Sequence, residues 1–207
     1  MSLITTGGPA AAALIAEVSA CQRCARMGGS RRVLSERNGS WSARVLFVAE
    51  APGRLGAERS GIPLCGDQAG IRFERLLDAM SWSRLDVFIT NAVLCNPRDG
   101  KGRNATPTRR ELANCTPFLS RTIALVDPAL VIALGSLALE AMGRLGFHGL
   151  SLSAAAGTLT AWNGRMLGVL YHPGARAARH RPWPAQLADA RRLARAAERA
   201  GCGPRCL

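Results

Sequence analysis

The sequence predicts an α/β fold: one domain in three layers, α/β/α, around a central, mainly parallel sheet of four strands. Two observations predict it. Four short runs, Arg44–Ala49, Asp86–Asn91, Leu130–Gly135 and Met166–Tyr171, are almost continuously apolar and rich in β-branched residues. Strands buried on both faces read this way. Between them lie segments with helical periodicity, and strands that alternate with helices imply crossover connections and a parallel sheet.

In chain order, Pro9–Val18 is an apolar stretch read as a first helix packed on the body; no basic segment precedes it, as an export signal would require. After the first strand, Gln68–Met80 puts Phe73, Leu76, Leu77 and Met80 on one face of a helix. Thr108–Val126 is a longer helix, with Glu111 three residues after Thr108 as in a capping box. Ser136–Leu145 follows the third strand directly. Asn163-Gly164, between Thr158–Trp162 and Arg165–Tyr171, reads as a hairpin turn into the last strand. Pro184–Ala200 is a basic amphipathic helix that closes the chain. A length of 207 residues suits one domain spanning residues 1–207, with loose ends at 1–8 and 201–207.

Lys and Arg number 27 against 14 Asp and Glu, a formal net charge of +13. Such an excess implies a polyanionic partner, nucleic acid first and an anionic membrane surface second. No apolar run is long enough to span a bilayer. The 7 cysteines are odd in number, which argues against a disulfide framework and for a reducing cytoplasm with thiolates available to metal.

Ligands of such sheets bind beyond the carboxyl ends of the strands. The first strand runs into Ala49-Glu50-Ala51-Pro52-Gly53, the second ends at Asn91, and the last ends in Tyr171-His172-Pro173-Gly174. Glu50, Asn91 and His172 therefore converge on one edge from separate places in the sequence.

Four segments, in this order, resemble the motifs of uracil-DNA glycosylases: AEAPG (49–53), SGIPLCGDQAG (60–70), ITNAVLCNP (89–97) and YHPG (171–174). The resemblance runs from about Cys21 to Arg179. It lies between the thermophile-type iron–sulfur group, family 4, and the broader-specificity iron–sulfur group, family 5, whose pattern appears as Arg59–Gly61 and Gly66–Asp67. The cysteines agree. Cys21 and Cys24 form a C-x-x-C pair, Cys95 follows the Asn91 strand, and Cys115 lies in the next helix. Spacing alone allows zinc or an iron–sulfur cluster. The resemblance implies a [4Fe–4S] cluster on these four. Cys65 lies in a substrate-facing motif and is not assigned as a ligand; Cys202 and Cys206 have no readable role.

The resemblance also implies roles. A DNA-repair glycosylase flips uracil or another deaminated base out of DNA and hydrolyses its N-glycosidic bond, leaving an abasic site. Asn91 would read the uracil edge. His172 would donate to O2 as the base becomes anionic. Glu50 and the backbone of Ala51, Pro52 and Gly53 would orient water and shape the sugar pocket. Arg176, Arg179 and Arg181 belong to a basic loop expected to contact DNA, single- or double-stranded. Three departures stand out. Ala51 occupies the place of an Asp base used by uracil glycosylases outside the iron–sulfur groups. Leu64 replaces a stacking Phe, and Gly174 replaces the Ser of an HPS loop. Asn104 stands about where a covalently trapping subgroup has a histidine, so turnover is expected. A monomer associated with the nucleoid is the implied state. The alternatives are a damaged-DNA-binding module of this fold without turnover, and an unrelated zinc-stabilised nucleic-acid module.

Overall fold

The computed structural model describes residues 7–204; the predicted loose ends fall partly outside this range, at residues 1–6 and 205–207. Within it, the sheet has five strands rather than four, in the order β2-β1-β3-β5-β4. These are β1 (Val45–Ala49), β2 (Val87–Asn91), β3 (Leu130–Leu134), β4 (Leu159–Trp162) and β5 (Arg165–Leu170). The four strands expected are mutually parallel where they pair. The fifth is the hairpin partner: β4 pairs antiparallel with β5 and extends the sheet by one edge. Asn163 and Gly164 both have positive φ, 45° and 73°, as a turn joining right-twisted strands requires.

Strand residues alternate between two cores, which makes the three layers. Leu46, Val48, Phe88, Val131 and Ala133 face α1 (Gly8–Ser19), α4 (Arg109–Val126) and α5 (Ser136–Leu145). Val45, Phe47, Ala49, Ile89 and Ile132 face α3 (Gln68–Met80) and α7 (Trp183–Arg199). All five residues of each of β1, β2 and β3 are buried, which is why their sequences show no polar alternation. The short helices α2 (Ala57–Ser60) and α6 (Leu152–Ala155) lie in connections.

Helix starts follow local chemistry. Thr108 and Glu111 form the expected capping box on α4, and Asp67 caps α3 by accepting from the Gly70 N–H. The described part of the C-terminal end is held rather than loose. Arg44 donates to the carbonyls of Gly201 and Gly203, and Cys202 is buried. Because β1 lies between β2 and β3, successive connections leave its neighbourhood in opposite directions. The crevice this opens at the strands' carboxyl ends is the place where such sheets bind ligands.

Candidate active site

That crevice holds a cavity of about 650 Å³, and Glu50, Asn91, Gly135 and His172, from the ends of β1, β2, β3 and β5, all line it. The three polar residues expected to converge do so. Ala51, Pro52, Gly53 and Leu64 also line it. A volume of this size lies in the range of small-molecule sites.

Asn91 is the last residue of β2, in register with Ala49, and is 2% exposed. Its side-chain Nδ2 is buried and has no hydrogen-bond partner. An unpaired buried donor costs about 1–3 kcal/mol, so this amide is a candidate to recognise an acceptor brought into the cavity.

His172 follows β5. Its Nδ1 accepts from the Gly174 N–H at 3.0 Å, which leaves the ring proton on Nε2. Burial pushes the imidazole down to about 4, against the pull of the Asp67 carboxylate and with the push of the Arg176 guanidinium. At neutral pH His172 is therefore an uncharged donor. Gly174 has a steric reason: a Cβ there would come within 2.9 Å of His172 Nδ1. The glycine lets its own N–H come up to the ring, and a serine would require a shift.

Glu50 sits across the cavity. Burial raises its carboxyl above the usual range, and the Arg176 guanidinium at 4.0 Å works against that rise. Arg176 also reaches Thr106 Oγ1 at 3.4 Å, so this exposed side chain spans the cavity mouth.

Two further residues carry the wall. Asp67 lines the cavity. While one of its oxygens caps α3, the other lies so close to the Gly53–Gly56 turn that a Cβ on either glycine would collide with it. Asn104 also lines the cavity, and its Oδ1 accepts from the Arg54 N–H at 2.9 Å and from Asn96 Nδ2 at 3.0 Å. Asn96, 1% exposed, donates as well to the Pro52 carbonyl at 2.6 Å. The loop from Pro97 to Pro107 is thereby fastened to the AEAPG turn. Neither Asp67 nor Asn96 was assigned a role from sequence; the paired glycines 53 and 56, beside an Asp-x-x-Gly cap, were the available signal.

The basic loop divides. Arg179 is exposed. Arg181 is committed within the protein: its Nε and Nη2 bind the carboxylate of Asp189 at 2.8 and 2.6 Å. Asp189 is 1% exposed and shared with Arg192. The geometry gives Arg181 a structural partner, whereas Arg176 and Arg179 are exposed.

The cysteines form a second site. Cys21, Cys24, Cys95 and Cys115 line one small cavity with Arg23, Met27, Arg32 and Asn114. Cys21 and Cys24 come from the segment after α1, Cys95 from the segment after β2, and Cys115 from α4. Burial, then the neighbouring Cys115, pushes the Cys95 thiol up to about 12; burial chiefly pushes Cys115 up to about 11. Asn114 Nδ2 donates to Cys24 Sγ at 3.3 Å, the kind of contact that surrounds bound metal–sulfur centres. A single zinc ion needs every sulfur about 2.3 Å from one point. Among the described residues no group of three or more His, Cys, Asp or Glu is gathered to hold one ion. The donors are all sulfur, ring a cavity, and have guanidinium groups nearby to balance an anionic centre. That all-sulfur set, with the guanidinium groups of Arg23 and Arg32 beside it, suits a thiolate-bound metal centre. Cys65 lines neither cavity. Cys202 is buried against the Ala197 carbonyl, and Cys206 lies outside the described residues.

Fold and site together define a doubly wound α/β protein with a small-molecule-sized crevice at its topological switch point and an all-cysteine site beside it. The sequence model of the uracil DNA glycosylase superfamily matches residues 37–193, and the chain belongs to that superfamily. It is 36% identical over 120 residues to the type-4 uracil-DNA glycosylase of Saccharolobus solfataricus, covering 58% of this chain and 52% of that protein. It is 35% identical over 144 residues to the type-4 enzyme of Pyrobaculum aerophilum, covering 66% and 69%. To the type-5 uracil-DNA glycosylase of the same organism it is 31% identical over 153 residues, covering 60% and 66%. The match thus spans about half the length of the first relative and about two thirds of the other two. The superfamily match starts at residue 37, so Cys21 and Cys24 lie before it.

Proposed function

We propose that this chain is a uracil-DNA glycosylase, a DNA-repair hydrolase that flips uracil or a related deaminated base from DNA and leaves an abasic site. The observation that carries this is the pairing, in one cavity, of two unspent donors: the buried Nδ2 of Asn91 and the Nε2–H of neutral His172.

The chemistry follows from their placement. The C1′–N1 bond breaks and its electron pair leaves with the base, so negative charge grows on uracil O2 and O4. Asn91 Nδ2 donates to O4 and its Oδ1 accepts from N3–H. Cytosine presents the reverse pattern and leaves these groups unpaired. His172 donates to O2, and this bond strengthens only as the oxygen becomes anionic, which is differential transition-state binding. On the sugar side, positive charge develops at C1′, to which the water oxygen bonds while its proton passes to a carboxylate or solvent. Ala51 has no side chain for this task. Asp67 and Glu50, both in the cavity wall, supply the carboxylates that stabilise the cation and hold the water. Asn104, with its amide oxygen bound to Arg54 and Asn96, is no nucleophile, so the abasic product is released.

DNA is the partner, drawn by the charge of +13 and contacted through Arg176 and Arg179 beside the cavity. We place a [4Fe–4S] cluster on Cys21, Cys24, Cys95 and Cys115, where it would tie the segment after α1 to β2 and α4. When bound, such a centre supplies cross-linking of segments; the excision step uses none of its electrons. No described helix is long and apolar enough to cross a membrane, and we read the protein as a cytoplasmic, nucleoid-associated monomer. Single-turnover release of uracil from a uracil-containing oligonucleotide tests the activity. No release by iron-replete protein would overturn it.

A further inference from the structure

Leu64 has the left-handed backbone conformation, φ 47°, although it is neither glycine nor asparagine. It is 9% exposed and lines the base cavity. An L-residue with a branched side chain adopts this conformation at a cost, and keeps it only where the surroundings hold it. The structure supplies the holder. Arg84, in the turn before β2, donates Nη1 to the Pro63 carbonyl at 3.0 Å and Nη2 to the Leu64 carbonyl at 2.7 Å. The same guanidinium is fixed in plane by Glu74, to which Nε and Nη2 donate at 2.8 and 2.6 Å. Its carbon lies 5.5 Å from the centre of the Phe73 ring. From the other side Gly70 closes on the loop: a Cβ there would meet the Leu64 carbonyl at 2.8 Å and Cys65 Cα at 3.0 Å. Two successive carbonyls of the cavity wall are thus clamped between a five-donor fork and the first turn of α3.

We infer that Arg84 is a positioning residue: by holding Leu64 left-handed it sets the wall that faces the base, and so the width of base the cavity accepts. The inference rests on reading the cavity as a base pocket. Arg84 lines no part of the cavity, so it acts only through Leu64. Lysine cannot replace it, because a single ammonium does not present a planar fork to two carbonyls and a carboxylate at once. Without the clamp, Leu64 relaxes to negative φ, its side chain leaves the wall, and the slot loosens for uracil while opening to a larger purine.

The test is a double-mutant cycle on the iron-replete protein with Arg84→Met, Leu64→Gly and the pair. Glycine adopts positive φ freely, so Leu64→Gly removes both the strain and the wall. Single-turnover excision is measured on uracil and on hypoxanthine oligonucleotides, with thermal midpoints and amide hydrogen exchange of residues 61–66. Arg84→Met should slow uracil excision on the order of tenfold and hypoxanthine excision less, shifting the ratio. In the Leu64→Gly background the same change should alter the ratio by less than about twofold. Exchange at residues 61–66 should quicken. If Arg84→Met does not fold, Arg84→Lys is used and should shift the ratio in the same direction by less. Equal loss on both bases that follows the thermal midpoint and adds in the double variant would make Arg84 merely structural and overturn the inference. If the wild type releases neither base, the base-pocket reading fails by itself. Exchange then decides the clamp, and unchanged protection at residues 61–66 in Arg84→Met overturns it.

Discussion

Asn91 ends the edge strand β2 and His172 follows the interior strand β5, whereas Cys21, Cys24, Cys95 and Cys115 come from a helix end, a loop and a surface helix. The first pair is placed by the sheet whether or not a ligand is present. Its groups are strained electrically, an orphan amide donor and an imidazole kept neutral by burial. The four thiols belong to segments that no sheet ladder joins, and burial raises the Cys95 and Cys115 thiols well above the usual thiol range. The difference separates two uses of buried polar groups. One site is built in advance by the fold and serves chemistry. The other completes the fold when it is filled. Substitutions in the two sites should therefore fail in different currencies, rate in one and stability in the other.

The largest effect tests the first half of that contrast. His172→Ala should slow single-turnover uracil excision by about 10²–10³-fold, the usual effect of removing one donor to a developing oxyanion. DNA affinity and the thermal midpoint should hardly change. A wild-type excision rate would exclude His172 as the leaving-group stabiliser.

Cys115→Ala tests the second half. Iron and sulfide content should fall, and with it the midpoint. A ligand present at a thousandfold its dissociation constant stabilises by about 4 kcal/mol, or roughly 8–16 °C for a chain of this size. Per folded molecule, the excision step should change far less than in His172→Ala. Unchanged iron content would remove Cys115 from the ligand set.

The same contrast recurs on a smaller scale inside the basic loop. Arg181→Ala leaves the buried Asp189 with only Arg192 as its charged partner and should destabilise the fold by about 1–3 kcal/mol. The slope of log affinity against log salt should stay as it was. Arg176→Ala should reduce that slope by about 1 and leave the midpoint alone. Equal salt slopes in the two variants would mean that the loop does not meet phosphate through Arg176.

These sites differ also in how far they could be read from sequence. The parallel strands were legible because burial on both faces writes itself as largely apolar runs, and Asn91 and His172 because the first ends such a run and the second directly follows one. The edge strand β4 was harder to count: half-buried Thr160 and exposed Ala161 break any continuous signal, and only the Asn163-Gly164 turn marks the hairpin. Asp67 and Asn104 belong to the cavity through contacts with the Gly53–Gly56 turn and Asn96 that are made in space; only the paired glycines and the Asp-x-x-Gly cap hint at the first in sequence, and nothing local hints at the second. Arg181 looked like its neighbours because its partner, Asp189, sits inside a helix that reads simply as basic. The left-handed state of Leu64 has no sequence mark at all, since nothing in a leucine announces that a distant arginine will hold it.

The smallest effect is a pH dependence that belongs to one site alone. Burial lowers the His172 imidazole to about 4 in the folded protein, while in the unfolded chain it titrates near 6.5. Above pH 6.5 it is neutral in both states and costs nothing. Between about 6.5 and 4 the unfolded chain takes up a proton that the folded protein refuses, so stability falls as pH falls. Below about 4 both states are protonated and the loss stops growing. His172→Gln removes this component, so the wild-type midpoint should decline more steeply than the variant's between pH 6.5 and 4, with the two curves parallel above pH 7. The rate carries a matching signature: the Nε2–H donor is present throughout this window, so excision at pH 5 should show no inflection near 6.5. An inflection near 6.5 that is absent from His172→Gln would mean that the imidazole is solvated rather than buried, and the preformed character of this site would be lost with it.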